Sequence, residues 1–196
     1  MKKILSFVLF TAVFLILADA QIAFAQEAPK IEIGAHYTML RFSDFDTNDS
    51  GVGARVTFNL TDNVAIDGEY NFFPTRRRHF VDGFYIDSRR YQGLLGVKAG
   101  ARGEKIGVFG KLRPGFVHFG EGTLDPTILP ILPVPGTFKS TQFALDAGGV
   151  VELYPSRSTV LRFDVGDTII RFNGDGGRPK FTSHNLQLSA GVGLRF

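Results

Sequence analysis

The feature that most constrains this chain is a two-residue alternation of apolar and polar side chains that recurs along most of its length. Successive side chains of a β-strand point to opposite faces, so this alternation predicts strands with one apolar and one polar face. The last segment shows it best: Leu186, Leu188, Ala190, Val192, Leu194 and Phe196 alternate with Gln187, Ser189, Gly191, Gly193 and Arg195. No helical repeat competes with the alternation beyond residue 25, and the sequence therefore predicts an all-β fold.

About eight segments carry this pattern, and we predict one strand for each. The predicted strands cover residues 30–42, 51–60, 64–73, 88–100, 105–119, 137–153, 159–172 and 183–196. Short turns at 61–63, 101–104 and 154–158 alternate with longer connections at 43–50, 74–87, 120–136 and 173–182. An even number of strands joined in this way places both termini at the short-turn end. Transmembrane barrels keep that end in the periplasm.

The first 25 residues are predicted to be a secretory signal peptide outside the fold. They combine Lys2 and Lys3, an apolar run over residues 4–17, and the small residues Ala23 and Ala25. The run is shorter than the roughly 20 residues that a membrane helix needs, which favours cleavage over anchoring. We therefore expect an exported protein whose mature domain covers residues 26–196.

Composition excludes several kinds of function. The formal net charge is only +3, which gives no reason to expect a nucleic-acid partner. The chain contains no cysteine, so a disulfide framework, a thiol nucleophile and a thiolate metal site are all excluded. Its length fits a single domain.

The alternation fits two kinds of barrel: a transmembrane barrel with its bulky stripe facing lipid, and a soluble lipocalin-like binder with that stripe inside. An eight-stranded barrel has room only for side chains or one small ligand. The apolar stripe is bulky, whereas the polar stripe is rich in glycine, which favours the polar stripe as the interior. These glycines are Gly34, Gly53, Gly96, Gly100, Gly115, Gly148, Gly166, Gly191 and Gly193.

Charges on the polar stripe nearly balance, as expected for a lumen in which each buried ion needs a partner. A solvated outer face is the alternative. The cations are Arg55, Arg90, Lys98, Lys111, Arg113, Arg162 and Arg195, and the anions are Glu32, Asp67, Glu69, Asp146, Glu152 and Asp164. We favour the lumen, and we interpret the aromatic residues near strand ends as interfacial girdles: Phe42, Phe72, Tyr91, Phe116 and Tyr154. The predicted fold is an eight-stranded, antiparallel, up-and-down transmembrane β-barrel, expected to be monomeric, with a lumen plugged by charged side chains.

The ending over residues 190–196 alternates apolar residues and finishes with an aromatic one. It resembles the C-terminal strand of the small outer-membrane β-barrel family that includes OmpX and the transmembrane domain of OmpA. Residues 111–116 and 162–167 are similar to strand segments of the same family, and the resemblance covers the whole mature chain. It implies insertion into the outer membrane of a Gram-negative cell by the barrel assembly machinery. Phe196, Leu194 and Val192 would be the assembly signal.

A basic cluster at the predicted outer end contains Arg76, Arg77 and Arg78, with His79, Arg89 and Arg90 nearby. Guanidinium groups pair well with phosphate, so we expect outer-membrane lipid, and lipopolysaccharide in particular, as a contact of the three consecutive arginines. The alternative is a solvated basic loop.

Two other connections have unusual compositions. Residues 44–51 alternate acidic and amide side chains as calcium loops do, but the glycine is misplaced and no bidentate glutamate follows. We interpret them as a polar turn and expect no metal site. Residues 123–136 combine prolines with large aliphatic side chains. This connection is expected to dip toward the membrane interface, to meet a partner protein or to fold over the barrel mouth.

Some small outer-membrane barrels are lipid A deacylases or acyltransferases, so a Ser-His arrangement would indicate catalysis. Ser183 and His184 are the one adjacent pair, but neighbours in a strand point to opposite faces and cannot readily hydrogen-bond. His36, His79 and His118 have no local nucleophile-base motif. We therefore expect a non-catalytic protein without a cofactor, serving envelope structure or surface interaction. A lipid A-modifying enzyme, a narrow ion channel and a soluble lipocalin-like binder are the alternatives.

Overall fold

The computed structural model describes residues 29–42, 47–74, 77–80, 84–87, 89–120, 140–173 and 180–196. The described residues form ten strands. They are β1 (Ile31–Phe42), β2 (Thr47–Asn59), β3 (Val64–Phe73), β4 (Arg77–Phe80), β5 (Phe84–Asp87), β6 (Arg90–Arg102), β7 (Ile106–Phe119), β8 (Ser140–Leu153), β9 (Thr159–Phe172) and β10 (Phe181–Arg195). Eight of them close into an antiparallel barrel in the order β1-β10-β9-β8-β7-β6-β3-β2. The predicted all-β, eight-stranded fold is confirmed.

Closure joins the first strand to the last. Along the β1–β10 seam, Glu32 is paired with Arg195 and Phe42 with Asn185. At the short-turn end of the seam, where β1 begins, the Phe196 N–H donates to the Ile31 carbonyl at 2.8 Å. The sheet therefore has no free edge, which is the condition for placing strands in hydrocarbon.

Two parts of the topology differ from the sequence prediction. The strand predicted from residue 51 begins at Thr47, because β1 and β2 continue as a paired hairpin up to Phe42 and Thr47. The second long connection contains an additional hairpin, β4–β5, in which Arg77 is paired with Asp87. Its sequence cue was the Asp82-Gly83 dipeptide, a pair of residues typical of hairpin turns.

The barrel presents its bulky apolar side chains outward. Leu95 is 63% exposed, Val52 58% and Tyr37 55%, while charged and amide side chains fill the interior. In water such a surface would be unstable, whereas acyl chains solvate it well. The soluble lipocalin-like alternative is therefore wrong. Nowhere in the described residues is there a helix with the length and hydropathy that membrane crossing requires.

An arginine on the lipid-facing surface tests this orientation. Leu95 lies well inside the apolar band on β6, so we expect Leu95→Arg to destabilise the barrel in phosphatidylcholine vesicles by about 2 kcal/mol. Leu60 lies just beyond the lower end of β2, and Leu60→Arg is expected to cost about 0–1 kcal/mol. Urea unfolding of both variants in vesicles measures the difference. Equal costs would contradict a membrane-embedded band.

Candidate functional site

The interior of the barrel is the candidate functional site, because every barrel strand directs its polar stripe there. All members of the predicted charge network lie on the interior side, as the alternating burial of each strand shows. Arg90 and Arg195 are half-buried, and the other members are buried. The lumen glycines predicted from the sequence lie on the same faces, where they leave room for the long charged side chains.

Asp67, on β3, lies at the centre of the network. Arg162 donates to both of its carboxylate oxygens, from Nη1 to Oδ1 and from Nη2 to Oδ2, each at 2.8 Å. Arg113 donates from Nη1 to Oδ2 at 2.8 Å, and the Thr57 hydroxyl donates to Oδ1 at 2.6 Å. One fully buried carboxylate thus connects strands β2, β3, β7 and β9 across the lumen.

Arg113 has further partners on β8 and β3. Its Nε and Nη2 donate to Asp146 Oδ2 at 2.9 and 2.7 Å, and its Nη1 donates to Glu69 Oε2 at 2.8 Å. The side chain is fully buried, yet three carboxylates surround its charge. A guanidinium removed from water is stable only with such pairing and hydrogen bonding.

Arg162 completes the layer with a bidentate contact to its neighbour on the same face of β9. Its Nε and Nη2 donate to the two oxygens of Asp164 at 2.9 and 2.8 Å. Lys111 Nζ lies 3.3 Å from Asp164 Oδ1, and Arg55 Nη1 lies 3.5 Å from Asp164 Oδ2. Four cations and four anions therefore form one connected layer around Asp67; the remaining members are Asp146 and Glu69.

A second ionic layer lies toward the short-turn end. Lys98 Nζ forms an ion pair with Glu152 and lies 3.7 Å from Glu32 Oε2. Arg102, which the sequence analysis did not include, donates to Glu32 Oε1 at 3.3 Å. The alternation could have found Arg102, since it shares the parity of Lys98, but the predicted strand ended at residue 100 while β6 continues to Arg102.

Tyr154 belongs to this layer, and its assignment to an interfacial aromatic girdle is wrong. Its side chain is buried below the end of β8, where the hydroxyl donates to Glu152 Oε2 at 2.8 Å. The Arg195 guanidinium lies 4.1 Å from the centre of its ring. Burial, and after it the neighbouring Glu152 carboxylate, raises the pKa of Tyr154, so the phenol stays protonated and remains a donor.

Between the central layer and the outer end of the barrel, the interior side chains are polar but uncharged. Gln92 donates to Gln187 Oε1 at 3.0 Å, and Asn71 donates to Gln92 Oε1 at 2.8 Å. In addition, Asn71 Oδ1 lies 2.6 Å from His36 Nε2. These buried amides continue the closed interior beyond the ion pairs.

An apolar layer closes the outer end of the lumen, and the sequence analysis missed it. Its core is formed by Leu40, Phe73, Leu94, Val117, Ala144 and Ile170, with Phe119 and Phe172 packed against it. The available signal was a set of adjacent apolar pairs near the outer ends of strands, such as Leu94-Leu95 and Ile169-Ile170. Each pair supplies one side chain to lipid and one to the lumen.

The adjacent residues Ser183 and His184 are both in β10. Ser183 points inward and donates to Asn185 Oδ1 at 3.0 Å, whereas His184 points outward with Nδ1 2.6 Å from Asp167 Oδ2. Ser183 and His184 therefore lie on opposite faces. Among the hydrogen bonds of the described residues, His184 contacts no serine or threonine hydroxyl. Within the same residues, no group of three or more His, Asp or Glu side chains is placed to hold a metal ion.

The other residues predicted from the sequence lie on the outside of the barrel wall, in β4 or outside the described residues. Val192, Leu194 and Phe196 are exposed on the outer face of the closing seam, and their role as an assembly signal stays a prediction. Arg76 lies outside the described residues. Arg77 and Arg78 lie in β4, where they are paired with Asp87 and Ile86 of β5. Residues 44–46 of the calcium-like segment and the whole of 123–136 also lie outside the described residues.

Comparison with known proteins gives one family and a set of similar barrels. Residues 10–196 match the family model described as the outer membrane protein beta-barrel domain. OprG from Pseudomonas aeruginosa superimposes with a TM-score of 0.61 at 14% identity, over 87% of this chain and 97% of that one. Ail from Yersinia pestis has a TM-score of 0.53 at 14% identity, over 88% and 100%. Neisserial surface protein A has a TM-score of 0.53 at 13% identity, over 85% and 96%. At these identities the likeness concerns the fold. Sequence comparison with curated proteins finds no match.

Proposed function

Because this chain belongs to the family of outer membrane protein β-barrel domains, we propose that it is a non-catalytic and non-conducting pedestal in the outer membrane. In this role the barrel anchors and spaces the four long outer connections, which serve envelope structure or surface interaction. The observation that carries the proposal is the filled lumen. Arg113, Arg162, Lys98 and Gln92, from three heights of the interior, are all fully buried.

Burial at three heights argues against a water-filled path. Open aqueous channels appear in barrels of about 16 strands, whereas eight strands leave room only for packed side chains. The apolar layer at the outer end adds a region that water enters at a high cost in free energy. A polar lumen of this kind stabilises the barrel by its internal pairing instead of conducting.

The proposal extends to biogenesis and surroundings. We propose cleavage of residues 1–25, insertion by the barrel assembly machinery through the strand that ends at Phe196, and monomeric insertion in the membrane. The closed β1–β10 seam supports the monomer, because the barrel needs no second chain to pair its edges. Contact of Arg76, Arg77 and Arg78 with lipopolysaccharide phosphates is part of the same proposal. It is supported by the place of Arg77 and Arg78 in β4, between β3 and β5 along the chain, at the end opposite the short turns.

Single-molecule conductance tests the closed lumen. The mature barrel, inserted into planar phosphatidylcholine bilayers, is expected to give no discrete conductance steps, because ion pairs and apolar groups fill its interior. A 16-stranded porin in the same bilayer is the positive control, and heat-modifiable gel migration verifies that the inserted protein is folded. Reproducible steps of uniform size from the folded barrel would refute a non-conducting pedestal and favour a narrow channel.

A further inference from the structure

The ionic layer near the short-turn end of the lumen contains more cations than anions. Its cations are Lys98, Arg102 and Arg195, and its carboxylates are Glu32 and Glu152. The central layer does not compensate, because its four cations and four anions already balance. Among the described residues, this end of the lumen therefore carries a formal excess of positive charge.

Arg195 is the cation of this layer that lacks a hydrogen-bonded carboxylate. Its Nε lies 3.6 Å from Glu32 Oε1, which is too long for a hydrogen bond, and it forms no ion pair with another described carboxylate. Nε is buried without a hydrogen-bond partner, and the two terminal nitrogens make no hydrogen bond within the described residues. Counted without its backbone, the side chain is only 8% exposed. A guanidinium in such a position is costly without a counter-ion.

Glu32 does not neutralise Arg195, because it is shared among several donors. Its Oε1 accepts hydrogen bonds from Arg102 Nη1 at 3.3 Å and from Asn59 Nδ2 at 2.9 Å. Its Oε2 lies 3.7 Å from Lys98 Nζ. One carboxylate thus faces three cations, and Arg195 is the one to which it makes no hydrogen bond.

The ring of Tyr154 brings two guanidinium groups to the same place. Arg195 Cζ lies 4.1 Å and Arg102 Cζ 5.5 Å from the centre of this ring. The ring is held in position by its hydroxyl, which donates to Glu152 Oε2 at 2.8 Å. Like Arg195 Nε, Arg102 Nε is buried without a hydrogen-bond partner. Two neighbouring guanidinium groups therefore keep unused N–H donors at the short-turn end of the lumen.

We propose that Arg102 and Arg195, beside Tyr154, form a binding site for a small free oxyanion of the phosphate type. The ion supplies the missing negative charge and accepts hydrogen bonds from the unused guanidinium donors, which pair well with phosphate oxygens. Arg102 ends β6 and Arg195 ends β10, so both lie at the rim of the lumen. Arg195 as a whole residue is half-buried there, and an ion can reach it from the short-turn side.

A free ion fits this site better than the headgroup of a membrane lipid. The two arginines are on the interior face of the wall, whereas their outward neighbours on β10, Leu194 and Phe196, are 54% and 67% exposed on the other face. A lipid whose acyl chains pack on that outer face would have to bring its headgroup over the rim of the barrel. The site goes beyond the pedestal function, because a filled lumen blocks conductance with or without a bound ion.

Phosphate titration followed by NMR of the arginine Nε–H groups tests the site. The folded mature barrel, in zwitterionic detergent micelles at neutral pH and constant sodium chloride, is titrated with inorganic phosphate. We expect saturable shifts of the Arg102 and Arg195 resonances, which the variants assign. Arg195→Gln is expected to weaken phosphate affinity, measured at Arg102, by about tenfold or more. Arg157→Gln is the matched control, since it removes an exposed arginine from the β8–β9 turn at the same end, and it should leave the affinity unchanged.

Shifts that do not saturate, or equal phosphate affinity of Arg195→Gln and the unaltered barrel, would overturn the proposal. Phosphatidylglycerol added to the micelles separates the sources of phosphate: displacement of inorganic phosphate by this lipid would overturn the free ion as occupant, and no competition supports it. Arg195→Gln is expected to fold, because Glu32 keeps its hydrogen bonds from Arg102 and Asn59, and heat-modifiable migration verifies this. If that variant does not fold, the titration of the unaltered barrel still decides between a saturable site and none.

Discussion

Replacing Asp67 with alanine is expected to destabilise the barrel by about 3–5 kcal/mol, the usual cost of breaking a buried ion pair by removing one partner. The carboxylate accepts three hydrogen bonds from Arg113 and Arg162 and one from Thr57. Without it, two fully buried guanidinium groups lose their shared partner while keeping contacts with Asp146, Glu69 and Asp164. The penalty comes from the two buried guanidinium charges, which lose a counter-ion in an interior away from water.

Equilibrium unfolding in urea, with the barrel in phosphatidylcholine vesicles, measures this loss by linear extrapolation. Glu104→Ala is the matched control, since it removes an exposed carboxylate from the turn between β6 and β7. Its effect is expected within about 0.5 kcal/mol. A cost below about 1 kcal/mol for Asp67→Ala would mean that water reaches the arginines, and it would count against a closed lumen.

The fold was predictable because a barrel wall repeats one simple constraint. Each residue faces either lipid or lumen, so alternation identified the strands. The glycines and the nearly balanced charges of one stripe, including Arg162 and Asp164 on β9, then favoured that stripe as the interior. Element ends were less predictable. The strand predicted from residue 51 begins at Thr47, because strand pairing with β1 continues through polar residues that resemble a turn in the sequence.

Alternation placed the central charged residues on one face, but it could not show which of them meet. The sequence identified Asp67, Arg113 and Arg162 as interior charges, yet they come from three different strands, and register decides which of them meet. The outer apolar layer was missed for another reason. Alternation assigns one face per strand, whereas near the outer rim Leu94 and Ile170 face a lumen that is itself apolar.

The His184–Asp167 pair shows a third limit. Alternation places both residues outward, but an isolated histidine and an isolated aspartate on separate strands give no signal until the β9–β10 register brings them together. The same is true of Arg41 and Arg171, which are separated along the chain and lie on the two strands beside β10 only in the closed barrel. Lipid-facing ionic surfaces therefore depend on closure, and the alternation cannot reveal them.

Several lumen glycines leave no room for a side chain, and the consecutive glycines Gly148 and Gly149, on opposite faces of β8, provide a direct test. Gly148 faces inward, opposite Gly166, and a Cβ added there would meet the Val165 carbonyl oxygen and the Gly166 Cα. Both atoms belong to the β9 backbone, which pairs on its other side with β10 and cannot move freely. At Gly149 an added Cβ would come no closer than 3.9 Å, to the Phe109 carbonyl oxygen.

We expect Gly148→Val to cost about 3 kcal/mol or more, because the new side chain must push two paired strands apart. Gly149→Val puts the same side chain on the lipid-facing surface, where its effect should stay within about 0.5 kcal/mol. Urea unfolding in vesicles measures both variants. If Gly148→Val fails to fold, Gly148→Ala provides the milder change, with an expected cost of about 1–3 kcal/mol. Equal stability of Gly148→Ala and Gly149→Ala would contradict the close strand contact, since the two positions differ only in the face of β8 that they occupy.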